Sequence, residues 1–316
     1  MIETARSGFA DMPRLADRLT AGQFVLTAEV VPPLSADPAR LLEMALPLRG
    51  LADAVNLTDS ASARAHMGAL AASAILVANG IDPIMQITCR DRNRIAIQSD
   101  ILGAVALGIR NVLIMTGDQP TAGDQPEAKP VYDLTSGALM DMLRGMRDEG
   151  KLPAPSGRAI PGGLPDLTIG AADMPIDPPP GWEPKGLEQK IAAGAQFAQT
   201  QFCMDTGVAR RYAARLAQHG TTDRIRLIIG VVPLKTAKSA RWIKQNLYGS
   251  IIPDAHIARM EEAADPAAEG RRICVEVIEE MQEIPGISGA HIMAPHNEAA
   301  VADVLRTLRA LPGFRA

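Results

Sequence analysis

Glu29 stands inside the run "VLTAEVVPP", with apolar residues on both sides. A carboxylate in such a run is partly desolvated, and desolvation disfavours its charged form. A carboxylic acid that keeps its proton near neutral pH serves as a general acid. The same acid paired with an Arg or Lys would be structural. Asp118 closes "VLIMTGD", directly after Gly117. A Gly-Asp pair is most often a turn or helix cap; the alternative is an acid aimed into a cavity at the strand end. Gln199, Gln201 and Cys203 alternate along "QFAQTQFCM", so they are expected to share one strand face, with Phe202 on the other. Two amides on an inward face must be hydrogen-bonded, to each other or to a heterocycle with paired donors and acceptors. Thr58 with Asp59, and Gln86 with Thr88, are further polar pairs at the ends of apolar runs.

Other chemistries find less support. The segment "CRDRNR" gathers Arg90, Arg92 and Arg94 where a helix begins. Cations at a helix N-terminus suit a phosphate, although surface ion pairs would explain them equally. The five histidines show no metal-binding spacing, and no metal is expected. His291, in "GAHIMAP", reads as a satisfied core histidine, with a cavity-facing position as the other reading. Lys190 by itself reads as a solvated helix lysine. No G-x-S-x-G nucleophile motif is present. Cys89, Cys203 and Cys274 are isolated, with no C-x-x-C pair, which fits a reducing, cytoplasmic setting. A net charge of −4 and 3% aromatic residues argue against nucleic acid as a partner. No apolar run approaches the roughly 18 residues of a membrane span.

The elements that must position these residues alternate from end to end. Strand-like runs begin at "FVLTAEVV", "AVNLTDS", "PIMQITC", "NVLIMTG", "LTIGAAD", "QFAQTQFCM", "RIRLIIGVVPL" and "GAHIMAP", and helical runs separate them. Asp37 followed by Pro38 marks a helix start. Eight such units predict an α/β protein, a single (β/α)₈ barrel domain over residues 1–316. Residues 1–22 form a leading amphipathic helix, and 255–284 an inserted helical segment before the eighth strand. An open doubly wound sheet would normally carry a glycine fingerprint for dinucleotide phosphates, and none occurs. Loops 119–134 and 174–185 follow strands and so belong to the C-terminal face, where barrels bind substrates. Loop 151–166 precedes a strand and belongs to the opposite face.

Taken in order, "TAEVVPP", "AVNLTDS", "QITCRDRN", "TGDQP", "AKPVYDL", "KIAAGAQFAQTQF" and "GAHIMAP" resemble the methylenetetrahydrofolate reductase family, over about residues 22 to 310. The first half is most similar to the divergent bacterial branch that includes acetogen enzymes. The resemblance implies a barrel holding a flavin, FAD or FMN, that NADH or NADPH reduces and that then reduces 5,10-methylenetetrahydrofolate in ping-pong fashion. It implies that Glu29 protonates the folate, opening its five-membered ring to an iminium. It implies that Asp118 lies near the flavin pyrimidine and contacts the pterin, that Gln201 binds folate, and that Thr58 contacts the flavin. Gln86, Thr88 and Gly117 fall around the flavin ring, Lys190 near its phosphates, Glu183 near its ribose or adenosine, and Ala171 and Ala172 among its lining residues.

The chain also departs from the family's enteric pattern. Gln86 stands for a histidine, Thr116 for an arginine, and a tyrosine is missing near Asp173 or Met174. A phenylalanine after the seventh strand and an arginine after the eighth have no counterpart. These losses bring in a flavin-free or partner-dependent reductase of the same folate as a second reading. A pterin-binding barrel that passes methyl groups to a corrinoid protein is a third. The expected partner is a small molecule, and a homo-oligomer stays open.

Overall fold

Strands that are apolar on both faces can only be buried on both faces, and here they close on themselves. In the computed structural model, which describes residues 14–164, 166–295 and 297–314, eight parallel strands form a closed barrel in sequence order. They are β1 (Val25–Val30), β2 (Ala54–Leu57), β3 (Pro83–Thr88), β4 (Asn111–Met115), β5 (Thr168–Asp173), β6 (Phe197–Phe202), β7 (Arg226–Val231) and β8 (Ile287–Ile292). β8 returns to pair with β1, setting His291 beside Thr27. The (β/α)₈ expectation is met, and the open sheet is set aside.

The connecting helices are α1 (Leu15–Thr20), α2 (Pro38–Ala45), α3 (Ala69–Ala78), α4 (Arg94–Ala106), α5 (Ser136–Glu149), α6 (Lys185–Ala192), α7 (Thr206–Gln218), α8 (Ala237–Asn246), α9 (Asp254–Glu262), α10 (Pro266–Gln282) and α11 (Glu298–Ala310). Side-chain caps start several of them. Asp37, Asn93, Thr135, Asp205 and Asp265 each accept a backbone N–H of the first turn. A cap of this kind contributes about 1 kcal/mol. The inserted helical segment consists of two helices, α9 and α10. Asp265 caps a fresh start and Pro266, which lacks an N–H, sits at the first helical position. Among the described residues no helix is long and apolar enough to cross a membrane.

The leading helix was expected over 1–22; residues 1–13 lie outside the described residues, and of the rest α1 occupies Leu15–Thr20. Its Leu15 and Leu19 enter the base of the barrel and pack with Val25, Ala54, Ile84, Leu113, Phe197 and Ile228. Phe197 fills the space that β5 leaves open. A Cβ at Gly170 would sit 2.2 Å from its ring, so glycine is required there. Two carboxylates tie the base. Asp53 accepts from the Leu26 N–H (2.7 Å) and from Arg309 of α11 (2.8 Å). Asp82 accepts from the Leu15 N–H (3.0 Å) and from Asn111 Nδ2 (2.9 Å).

Burial pushes the Asp82 carboxyl up to about 6 from an ordinary 3.8. Between those values the unfolded chain has released the proton that the folded chain still holds. The folded state therefore gains stability from this group as pH falls from about 6 to 4, and loses it as pH rises. The full effect is about 3 kcal/mol. Asn111 Oδ1 is buried without a partner among the described residues, so an amide at position 82 would find an acceptor. Asp82→Asn is expected to remove this pH slope. Urea midpoints measured at pH 4.5 and 6.5 should separate wild type from variant, and identical slopes would assign the ionisation elsewhere.

Candidate active site at the barrel mouth

Inward positions repeat every second residue, so each strand presents a short ladder of side chains to the interior. Above the apolar base lies a polar layer. Asn56 and Gln199 exchange amide bonds (2.6 and 3.1 Å), and Gln199 Nε2 also donates to Thr27 Oγ1 (3.1 Å). Thr27 Oγ1 is 2.9 Å from His291 Nδ1. All four side chains are buried. One step higher, Gln86 Nε2 donates to Glu29 Oε2 (2.9 Å), with His291 Nε2 at 3.7 Å from the same oxygen. Glu29 keeps 15% of its side chain exposed, so it opens to the mouth from a buried setting.

The loops around this acid are clamped by carboxylates. Asp59 Oδ2 accepts from the Thr88 N–H (2.8 Å), from Thr88 Oγ1 (2.9 Å) and from Arg92. Arg90 is buried; it holds Asp91 by two bonds (2.8 and 2.7 Å) and reaches the carbonyls of Ser60 (3.2 Å) and Asp118 (3.3 Å). It thereby joins the loops after β2 and β4. Arg94 grips Asp133 (2.8 and 3.0 Å) and holds that carboxyl down at about 2. The three arginines of "CRDRNR" are thus engaged by acids, and the phosphate reading of that cluster is not supported.

Asp118 is no cap, since α5 is capped by Thr135. Its carboxylate is exposed and makes no hydrogen bond or ion pair among the described residues. Gly117 before it has φ +88°, and a Cβ there would meet Thr88 Cβ at 2.9 Å. Thr58 is 4% exposed, and its buried Oγ1 has no partner among the described residues. Thr88, by contrast, has its hydroxyl committed to Asp59.

On β5 the two alanines part company. Ala172 lines a cavity of about 470 Å³ with Met174, Trp182, Glu183, Lys190 and Tyr212. Ala171 points the other way, fully buried in the layer between strands and helices. Both were expected to line a ligand; Ala171 is turned away from any such position, because neighbouring strand residues face opposite sides. Lys190 Nζ donates to the Ala172 carbonyl (2.7 Å) and to Asp173 Oδ1 (3.2 Å). Tyr212 donates to the other Asp173 oxygen (2.6 Å), and burial raises its pKa. Glu183 is exposed and pairs with Lys185 at 3.3 Å.

On β6 the two amides do not bond each other. Gln201 Oε1 accepts from the Phe202 N–H (2.9 Å). The β6–β7 register shifts between Gln199 and Phe202, and the alternation ends there. Cys203 therefore leaves the amide face and is buried in the outer apolar layer, which pushes its thiol up to about 12. Thr27 and Asn56 were not singled out from sequence. Each stands two residues before a named candidate, Glu29 and Thr58, and the strand period alone would have found them.

The family model described as methylenetetrahydrofolate reductase matches residues 14–309. The chain belongs to the methylenetetrahydrofolate reductase family. A probable methylenetetrahydrofolate reductase (NADPH) from Caenorhabditis elegans is 23% identical over 238 residues, covering 72% of this chain and 32% of the relative. Methylenetetrahydrofolate reductase 2 from Schizosaccharomyces pombe is 24% identical over 242 residues, covering 72% and 35%. The chain thus spans about a third of the length of these relatives. Among solved structures, an uncharacterized protein from Clostridium thermocellum that binds two copies of 5-methyl-5,6,7,8-tetrahydrofolic acid superposes with a TM-score of 0.60. It is 12% identical and covers 93% of this chain and 99% of its own, a likeness of fold.

Within this reductase-family barrel, Asp59 is the carboxylate on which the β3 end of the mouth depends. Asp59→Ala would leave both Thr88 donors unpaired and Arg92 with Asp100 alone (3.1 Å). It is expected to cost about 3 kcal/mol, read as a lowered urea midpoint with unchanged m-value.

Proposed function

We propose that this chain reduces 5,10-methylenetetrahydrofolate to 5-methyltetrahydrofolate, with NADH or NADPH as electron source. The observation that carries this reading is Glu29, an acid at the mouth whose Oε2 is held by Gln86 (2.9 Å) while Oε1 makes no hydrogen bond among the described residues. An acid so placed can give a proton to a folate nitrogen. The ring C–N bond then breaks, and a hydride delivered to the iminium carbon completes the methyl group. Gln201, whose Nε2 makes no hydrogen bond among the described residues, and Asp118, exposed at the rim, are available to the pterin edge. Such pairs of acceptors and donors suit the hydrogen-bonding face of that heterocycle.

A flavin, FAD or FMN, is the proposed relay, and when bound it supplies two-electron transfer between the nicotinamide and the folate. Its ring suits the mouth. Thr58 Oγ1 is a buried hydroxyl in need of a partner, and Gly117 and Ala172 present little bulk. Its phosphates find less. Lys190 would hold them, with Glu183 of the same cavity beside the ribose or adenosine, but that lysine is already bonded to Asp173. Arg90, Arg92 and Arg94 also have carboxylate partners. This pairing favours a second reading, in which the nicotinamide passes hydride to the folate without a flavin.

A visible spectrum of the purified protein, followed by anaerobic NADH, decides between the two. Flavin absorbance that bleaches with NADH and returns with methylenetetrahydrofolate supports the relay. A colourless protein that still oxidises NADH with the folate supports direct transfer. Absence of any nicotinamide oxidation would reject both and favour methyl transfer. Glu29→Gln is expected to slow folate reduction by roughly 10²–10⁴ while leaving nicotinamide oxidation by an artificial acceptor in place. Full folate turnover in that variant would remove Glu29 from the acid role.

A further inference from the structure

The interior layer beneath Glu29 is polar where a barrel of this kind normally stacks branched apolar side chains. Thr27 and Asn56 are 0% exposed, His291 2% and Gln199 3%. Burying four such groups is costly unless every hydrogen is placed, and their placement here has a direction.

The direction follows from the orientation of the two amides. Gln199 Oε1 accepts from Asn56 Nδ2 (2.6 Å), so the Gln199 amide nitrogen gives its two hydrogens to Asn56 Oδ1 and Thr27 Oγ1 (both 3.1 Å). Thr27 Oγ1 is thereby an acceptor from Gln199. Its own hydrogen must go outward, and His291 Nδ1 at 2.9 Å is a far better target than the Ala290 carbonyl at 3.5 Å. His291 Nδ1 then accepts, and the imidazole hydrogen resides on Nε2. That nitrogen faces Glu29 Oε2 at 3.7 Å, the oxygen that also accepts from Gln86.

From this geometry we infer that His291 is a positioning residue for Glu29, with the Asn56–Gln199–Thr27 chain fixing its tautomer. Two N–H donors, from Gln86 and His291, mark Oε2 as the acceptor oxygen. The transferable proton is left to Oε1. When Glu29 has released that proton, the same two donors face the carboxylate, so the acid is oriented before and after transfer. The 3.7 Å separation is long for a hydrogen bond, and catalytic contacts in ligand-free structures commonly tighten on binding. This inference rests on the reading of Glu29 as the folate's acid.

Two measurements test it. The first uses wild-type protein labelled with ¹⁵N-histidine, the signals assigned by single replacements of the other four histidines. His291 is expected to show an unprotonated Nδ1 and a protonated Nε2. A protonated Nδ1 would overturn the inference without any variant having to fold. The second is steady-state folate reduction by Thr27→Val, which keeps the shape of Thr27 and breaks the chain, and by His291→Gln, which restores a donor near the Nε2 position. Thr27→Val is expected to lower kcat roughly tenfold to a hundredfold with little change in KM, and His291→Gln to retain more activity than His291→Leu. Folded Thr27→Val and His291→Leu proteins with wild-type kcat would reject the positioning role. Glu29→Gln is run beside them. If it keeps full folate turnover, the acid reading has failed; if it alone is inactive, only the positioning inference has.

Discussion

Closure of the sheet is the constraint from which the rest follows. Eight parallel strands without an edge send every second side chain into one narrow interior, and no water is available there to satisfy what they carry. The base of that interior is apolar and is stoppered by Leu15 and Leu19. The layer above is polar, and its members satisfy one another across strands far apart in sequence. Glu29 is the point where this internal network meets the open face. Its surroundings are therefore set by β1, β3 and β8 together, and by no single loop.

The rim follows a different logic. There the backbone must turn out of the barrel, and carboxylates secure each turn. Asp59 holds the end of β3, the Arg90–Asp91 pair joins the loops after β2 and β4, and Asp173 holds Lys190 against β5. Cations that would otherwise attract phosphate are spent on these clamps. The mouth is consequently firm and close to neutral at those positions, with Asp118 as an exposed charge at its edge.

The architecture was legible because two periods dominate the chain: apolar runs of strand length, and capped amphipathic helices between them. Asp37 and Pro38 identified a helix start from two letters. The family's motifs pointed to Glu29, Gln86 and Thr58, which the fold brings to the barrel mouth, and the strand period would have added Thr27 and Asn56. What sequence could not give were facts of pairing. The arginines of "CRDRNR" suited an anion site or ion pairs until their acid partners, some of them from other loops, came into view. Ala171 and Ala172 are indistinguishable as letters, and only the phase of β5 separates them. Cys203 followed the alternation on paper, and a register shift between β6 and β7 ended it.

The seam between β1 and β8 has a consequence for how the molecule is made. Thr27 and His291 meet across 264 residues of chain, and Asp53 at the base waits for Arg309. A ribosome delivers Glu29 early, with neither its neighbouring strand nor its imidazole partner yet in existence. Until β8 emerges, the acid and the first strand are therefore an unclosed edge. The interior network becomes whole only when β8 has emerged, so completing the site waits on closing the barrel.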